Sequence, residues 1–356
     1  MSCTAEATEE VGHHETKRDY LLVMDLPEMV HGLRLTGLNV PPRNHDIFAK
    51  IKEDLAKLFG VVMPKYVGES EITLKVIDMQ ELSDQILAKA VQMVDSMKQG
   101  YIVSTCMDIA SIVLHGKVFE ANRLIDNTGS VLGIGPRPGH YSLRKQVESV
   151  ITDAAGQPII LVEDGLFTGT TMYEVIREFQ ARGAEVEAVV LGFAFPKAKD
   201  KLASLAMAPS VHTVETVHNP LDWVPDHDFF PFVPNCGRVL GTRINGQVHP
   251  IYSHLGFSYS VPYLYGFCPM GDWIGLSLSE AQARELTWNI LHLDCELFRV
   301  IDAMNGGKGF KLHELGNARP RVSIPYRVNQ KHLPENENDM TIGRHLAEET
   351  MRASPH

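Results

Sequence analysis

The chain has 356 residues, enough for one large domain or two ordinary ones, and is 44% hydrophobic and 22% charged, as in an ordinary globular protein. A formal charge of −11 excludes a broad nucleic-acid footprint, which needs a basic face, but leaves room for a small local basic site. Cys3, Cys106, Cys236, Cys268 and Cys295 are scattered without paired spacing, which fits a reducing compartment and gives no zinc pattern. The polar, acidic N-terminus does not read as a signal peptide, and no apolar run is long enough to span a bilayer. The expected setting is therefore the cytoplasm, with neither nucleic acid nor membrane as partner.

Residues 1–18 are small and charged without periodicity, and disorder is expected there. Residues 19–84 read as an N-terminal α/β segment. Its apolar stripe of Ile47, Phe48, Ile51, Leu55 and Leu58 predicts a helix from about Asn44 to Phe59, ended by Gly60. Glu71–Met79 alternates like a strand, and Ile86, Ala90, Met93, Val94 and Met97 predict a helix from about Ser83 to Lys98. The core, residues 85–218, alternates strand and helix. "YIVSTC" reads as a strand, "DIASIVLHGKVF" as helical, and "SVLGIG", "PIILVED", "EVEAVVLGFAF" and "VHTVETV" as further strands. That order predicts an α/β fold with a mostly parallel five-stranded sheet and ligand sites at the carboxyl ends of its strands.

Residues 219–330 are rich first in Pro and aromatics, then in Gly and Tyr, and close on a long helix from about Ser277 to Met304. Ser277 and Glu280 fit a capping box there. Leu286, Ile290, Leu293, Leu297, Val300 and Met304 give a stripe longer than a covering helix needs, so a homodimer contact, or packing across both lobes, is expected. Residues 331–356 read as a polar tail.

The segment that carries chemistry is "IILVEDGLFTGTTMYEVIREF", Ile159 to Phe179. A short apolar run, suited to a strand buried on both faces, runs into Glu163 and Asp164. Gly165 to Thr170 then read as a tight turn, and Met172, Val175, Ile176 and Phe179 as one face of a helix. A loop with Thr168, Gly169, Thr170 and Thr171 at a helix N-terminus is suited to phosphate: backbone N–H groups and the helix dipole both favour an anion. The two carboxylates repel phosphate. They suit neighbouring hydroxyls, for which they are acceptors, and a divalent cation held by those hydroxyls. A phosphate one sugar's length from vicinal hydroxyls meets both demands, which describes a ribose 5-phosphate.

Residues 159–171 resemble the signature of the type I phosphoribosyltransferases. Ile159 to Val162 match its apolar run, Glu163 and Asp164 its acids, and Thr168, Gly169 and Thr171 its phosphate loop. Two positions depart: Gly165 stands where the family usually has an aliphatic residue, and Phe167 where a small one is common. The resemblance implies Mg²⁺-dependent transfer of ribose 5-phosphate from phosphoribosyl pyrophosphate to a nitrogen of a small heteroaromatic acceptor, with release of pyrophosphate. It further implies a parallel core sheet covered by hood segments from both ends of the chain. Glu163 and Asp164 would hold the ribose hydroxyls, steady positive charge at the anomeric carbon, and meet Mg²⁺ only through those hydroxyls or water. Gly165 and Thr168 to Thr171 would hold the 5-phosphate.

Three further segments are candidates by the same resemblance. The family's pyrophosphate loop would fall at Ser104 to Ala110, where Ser104 and Thr105 are possible donors, although the segment lacks Gly, Lys and Arg and carries Asp108. Its mobile catalytic loop would fall at "GPRPGHYSLRKQ", whose Arg137, His140, Arg144 and Lys145 would stabilise departing pyrophosphate. In "LDWVPDHDFF", Trp223 is the candidate platform for the acceptor ring, with Asp226 and Asp228 reading its N–H groups. These aromatics read equally well as packing, which leaves the region of Arg43 and His45 as the alternative acceptor site. Two other functions stay open: a regulator that binds the sugar donor without turnover, and a different ribose-phosphate enzyme on the same fold.

Overall fold

The computed structural model describes residues 17–67, 70–105, 107–110, 117–215, 217, 219–315, 322–333 and 341–354. The chain begins with β1 (Lys17–Met24), α1 (Leu26–Gly32), α2 (Asp46–Val62), β2 (Tyr66–Val67), β3 (Ser70–Asp78) and α3 (Met79–Met97). Next come β4 (Tyr101–Ser104), α4 (Met107–Ala110), β5 (Lys117–Val118), β6 (Ala121–Ile125), β7 (Val131–Pro136), α5 (Leu143–Ala154) and β8 (Ile159–Leu166). After them run α6 (Thr170–Gln180), β9 (Val186–Ala194), α7 (Pro196–Ala203), β10 (Ser210–Thr213) and β11 (Asp222–Pro225). The last stretch holds β12 (Arg238–Ile244), β13 (Gln247–Pro250), β14 (Ser258–Val261), α8 (Met270–Ile274), α9 (Glu280–Met304), β15 (Ser323–Pro325) and α10 (Ile342–Ala353).

Three sheets carry these strands. The central one has the order β5-β4-β8-β9-β10, with every pairing parallel. In chain order this is the doubly wound pattern 2-1-3-4-5, whose direction of growth reverses between β4 and β8. The apolar run of β8 is continuous because both its faces are covered. Ile159 and Leu161 pack with Val147, Val150, Ile176 and Phe179 on one side. Ile160 and Val162 pack with Leu82, Ile86 and Ala90 of α3 on the other. A second sheet, β11-β1-β3-β2, shares that latter cluster through Leu21, Val23 and Ile77. The third sheet runs β15-β14-β12-β6-β7, with β13 paired to β12.

Several elements differ from the sequence reading. "SVLGIG" is β7, and it pairs antiparallel with β6 in the third sheet instead of joining the parallel core. The Asp126 carboxylate accepts from the amides of Thr128 and Ser130, closing a turn far too short for a parallel crossover. The second strand of the core order is instead β5, inside the stretch read as helical; residues 111–116 of that stretch lie outside the described residues. Most of the tail assigned to 1–18 also lies outside them, but Lys17 and Arg18 begin β1, whose Tyr20–Val23 are fully buried.

The capping box of the long helix belongs to Ser279 and Gln282, not to Ser277 and Glu280. Leu286, Ile290, Leu293 and Leu297 are buried within this chain, where α9 packs on α2 and α10, while Val300 is half-buried and Met304 exposed. Within 331–356, Ile342, Leu346 and Ala353 line one side of α10 and bury against α9, so that part of the segment is no tail. Among the described residues no helix is long and apolar enough to cross a membrane.

Candidate active site

β8 is longer than its apolar run. It continues through Glu163, Asp164, Gly165 and Leu166, with Gly165 paired to Phe193 of β9. A Cβ at Gly165 would stand 2.3 Å from the Phe193 ring, which explains the departure from an aliphatic residue at this position. The large neighbour has taken the space. The chain then turns at Thr168 and Gly169. Gly169 adopts φ 70 and lies so close to Ala198 that a Cβ would stand 3.1 Å from its backbone, so a side chain is excluded on both counts. Gly169, at the N-cap of α6, has no side chain to cap the helix; the Thr170 amide donates to Thr168 Oγ1 at 3.4 Å, and Thr168 Oγ1 donates to Thr170 Oγ1 at 3.2 Å.

Glu163, Asp164, Gly165 and Thr168 to Thr171 all line one cleft of about 290 Å³ at the carboxyl ends of the core strands. β8, whose carboxyl end lines the cleft, borders the switch point of the sheet, and such sheets bind ligands at that edge.

The acids sit in a strained electrostatic setting. Asp164 is buried and accepts the Gly165 amide at 2.6 Å. Burial pushes its carboxyl up to about 6, against the opposing pull of that amide and of Arg137. Glu163 is half-buried and accepts the Thr105 hydroxyl. Desolvation, with Asp164 beside it, raises Glu163 well above the usual carboxylate range. Asp108, buried behind them, is pushed up to about 7 by desolvation and by Asp164. Arg137 opposes all three shifts, and it is also ion-paired with the buried Glu120 at 3.1 Å. One guanidinium thus faces four carboxyl groups.

Other candidates are placed differently from the sequence reading. Ser104 is fully buried in β4, and the Thr105 hydroxyl contacts Glu163 and the Val162 carbonyl (3.0 Å); neither residue lines the cleft. The Thr105 hydroxyl thus holds the Glu163 carboxyl from behind the cleft. Of the basic loop, Arg137 reaches the cleft and His140, Arg144 and Lys145 do not. The His140 amide donates to the Arg137 carbonyl, closing the turn. Arg144 and Lys145 fall in the first turn of α5, where Arg144 pairs with Glu148 at 2.8 Å and Lys145 lies over the Tyr141 ring.

Trp223, on β11, lines the cleft and meets Phe193 edge-on at 5.2 Å. Asp226 does not line it. Its Oδ1 accepts the amides of Asp25 and Leu26, both at 2.8 Å, so this carboxyl ties the turn after β1 to the turn after β11. Arg43 pairs with the buried Glu28, and with His45 it borders a separate cleft.

Sequence reasoning missed most of the opposite wall. His227 Nδ1 lies 2.6 Å from Asp25 and its Nε2 3.5 Å from Asp228, whose Oδ1 accepts the Gly237 amide at 2.8 Å. Arg123, Arg238, Tyr263 and Trp273 complete this side. The compact "DHD" at Asp226 to Asp228 was the only local signal; the others are isolated residues on separate elements.

Among the described residues no group of three or more His, Cys, Asp or Glu is arranged to hold a metal ion. The donor set fits Mg²⁺ in its usual habit, keeping most of its water and leaning on one or two carboxylates and the substrate's phosphates. Glu163 and Asp164 would hold such an ion, through water or ligand hydroxyls.

No family model matches the chain, and no curated protein matches it. Among solved structures it is similar to adenine phosphoribosyltransferase from Saccharomyces cerevisiae complexed with D-2,5-dideoxy-2,5-imino-altritol 1,6-bisphosphate and adenine. The two share 13% identity over 46% of this chain and 99% of that chain, with a TM-score of 0.27. A likeness at that score places no residue and assigns no activity.

Proposed function

We propose that the protein is a phosphoribosyltransferase, moving ribose 5-phosphate from phosphoribosyl pyrophosphate to a ring nitrogen of a heteroaromatic acceptor. One observation carries this reading: paired carboxyls and a glycine-started, threonine-rich helix N-terminus share one cleft at the carboxyl end of the central parallel strand. The α6 terminus and the Thr168 to Thr171 hydroxyls take the 5-phosphate. The acids then face the ribose hydroxyls, which donate to them. Binding there relieves the acids, since hydroxyl donors stabilise the charged form that burial disfavours.

In the transfer, the bond from the anomeric carbon to the pyrophosphate oxygen breaks, and its electron pair leaves with the pyrophosphate. The acceptor nitrogen's lone pair forms the new bond, and its proton passes to water. Glu163 and Asp164 stabilise the positive charge that builds on the sugar, and Arg137 the negative charge that builds on the leaving group. Mg²⁺, when bound, would screen the pyrophosphate charge. Trp223 offers the acceptor ring an aromatic face.

A second reading is donor binding without turnover, favoured by the arrival of Arg137 alone from the basic loop. One assay separates the two: incubation with phosphoribosyl pyrophosphate, Mg²⁺ and a panel of purine and pyrimidine bases, following pyrophosphate release. Base-dependent release supports the transferase. Saturable donor binding with no release under any base supports the sensor.

A further inference from the structure

We infer that Arg123 and Arg238 form a second anion subsite in the cleft, which takes the pyrophosphate end of the donor. This rests on the reading of the cleft as a phosphoribosyl site and adds the groups that hold its far end.

β6 and β12 pair in parallel, with Val239 opposite Leu124 and Leu240 opposite Ile125. Arg123 and Arg238 each precede that register by one residue, so they stand side by side on one face of the sheet. Like charges directly opposite on neighbouring strands are destabilising. Half-burial makes the pairing worse, and both desolvation and Arg238 push the Arg123 guanidinium down. Such a pair is a poor structural device and a good receptor. Two planar forks on one face suit phosphate oxygens, which accept bidentate hydrogen bonds.

Asp222 and Asp228 favour the charged form of Arg123, and Asp228 that of Arg238, but no ion pair ties either acid to the two guanidiniums among the described residues; each accepts a backbone amide instead, of Trp223 and Gly237 respectively, at 2.8 Å. Arg238 is held in place: its Nε donates to Tyr263 Oη at 3.2 Å, and its guanidinium lies 4.7 Å over the Trp273 ring. Arg123 makes no hydrogen bond or ion pair with its side chain among the described residues. Meanwhile the turn after β4 contributes a buried carboxyl, Asp108, and no cation. The cleft therefore has one side where Glu163 and Asp164 face hydroxyls and another where two guanidiniums, with Asp222 and Asp228 beside them, offer N–H groups to a second phosphate group.

The test is calorimetric titration of inorganic pyrophosphate and, separately, ribose 5-phosphate into the full-length wild type, Arg123→Gln, Arg123→Lys and Arg238→Gln. Thermal melts check that each variant is folded. Arg123→Gln should weaken pyrophosphate about tenfold or more, as expected for losing charge-assisted hydrogen bonds. Arg123→Lys, which keeps the charge but not the fork, should fall between. Ribose 5-phosphate should change less than about twofold in all three variants, within the scatter of remote substitutions. Unchanged pyrophosphate affinity in Arg123→Gln overturns the subsite, as does equal weakening of both ligands. A wild type that binds ribose 5-phosphate but not pyrophosphate overturns it while leaving the phosphoribosyl reading standing. A wild type that binds neither removes both.

Discussion

One wall of the cleft is a single unbroken segment, Glu163 to Thr171, while the opposite wall draws Arg123 from β6, Trp223 from β11, Arg238 from β12, and Tyr263 and Trp273 from further along the chain. The first wall owes its geometry to local rules: a doubly covered strand, a glycine turn and a helix start. The second exists only because β12 lies beside β6 and β11 beside β1. The electrostatics differ in the same way. The contiguous wall crowds carboxyls until burial raises them, and the assembled wall sets two guanidiniums side by side among Asp25, Asp222 and Asp228. A donor with hydroxyls at one end and phosphates at the other relieves both.

The largest effect should come from the contiguous wall. Asp164→Asn keeps shape and removes charge from the sugar site, so turnover should fall by about 10²–10³, the usual loss for a preorganised electrostatic group. Its thermal melt should not fall, because the native carboxyl is charged against the pull of burial. Pyrophosphate release and a melt on the same preparation check both halves.

A smaller effect separates support from site. Asp226→Ala leaves the buried amides of Asp25 and Leu26 without their acceptor, which should cost about 1–3 kcal/mol of stability. Ribose 5-phosphate binding by the folded protein should be unchanged. A denaturant titration beside calorimetry checks this, and a specific loss of acceptor binding would return Asp226 to the site.

Comparable in size is the glycine of the signature turn. Gly165→Ala should overpack against Phe193 by about 1–3 kcal/mol. Pairing it with Phe193→Leu should recover much of that loss. A double-mutant cycle that shows no coupling would refute the explanation given for Gly165.

The smallest effect is one of pH. Asp164 and Asp108 titrate in the folded protein at about 6 and about 7, above their value in the unfolded chain. Their raised values favour folding fully at acid pH, and that contribution is lost as pH rises through 6 and 7. Melts of the unliganded protein should therefore drop between about pH 4 and 7, from the unfolded carboxyl value up to the folded ones, and level off above that. Asp108→Asn should flatten the drop. An equally steep fall in that variant would place its origin elsewhere.

How much of this was legible follows from the same contrast. Ile159 to Thr171 could be read because each residue's role depends on its chain neighbours. β1 was missed although "YLLVM" is plainly apolar, because it begins against a charged tail and carries no period-2 alternation; it is buried on both faces by elements far away in sequence. "SVLGIG" was correctly a strand but assigned to the wrong sheet, since sheet membership depends on the short turn before it. Arg144 and Lys145 looked like partners of Arg137 because they are near it in sequence. α5 carries them off, with Ser142 capping the turn that separates them. Asp226 looked like a ligand group for want of any sign that two distant amides would claim it.

The most direct test of the central claim is a crystal structure of the full-length protein with ribose 5-phosphate. The account predicts the phosphate at the α6 N-terminus among Thr168 to Thr171, with the sugar hydroxyls donating to Glu163 and Asp164. A phosphate seated on Arg123 and Arg238 with the acids unengaged, or no ligand in the cleft at saturating concentration, would contradict it.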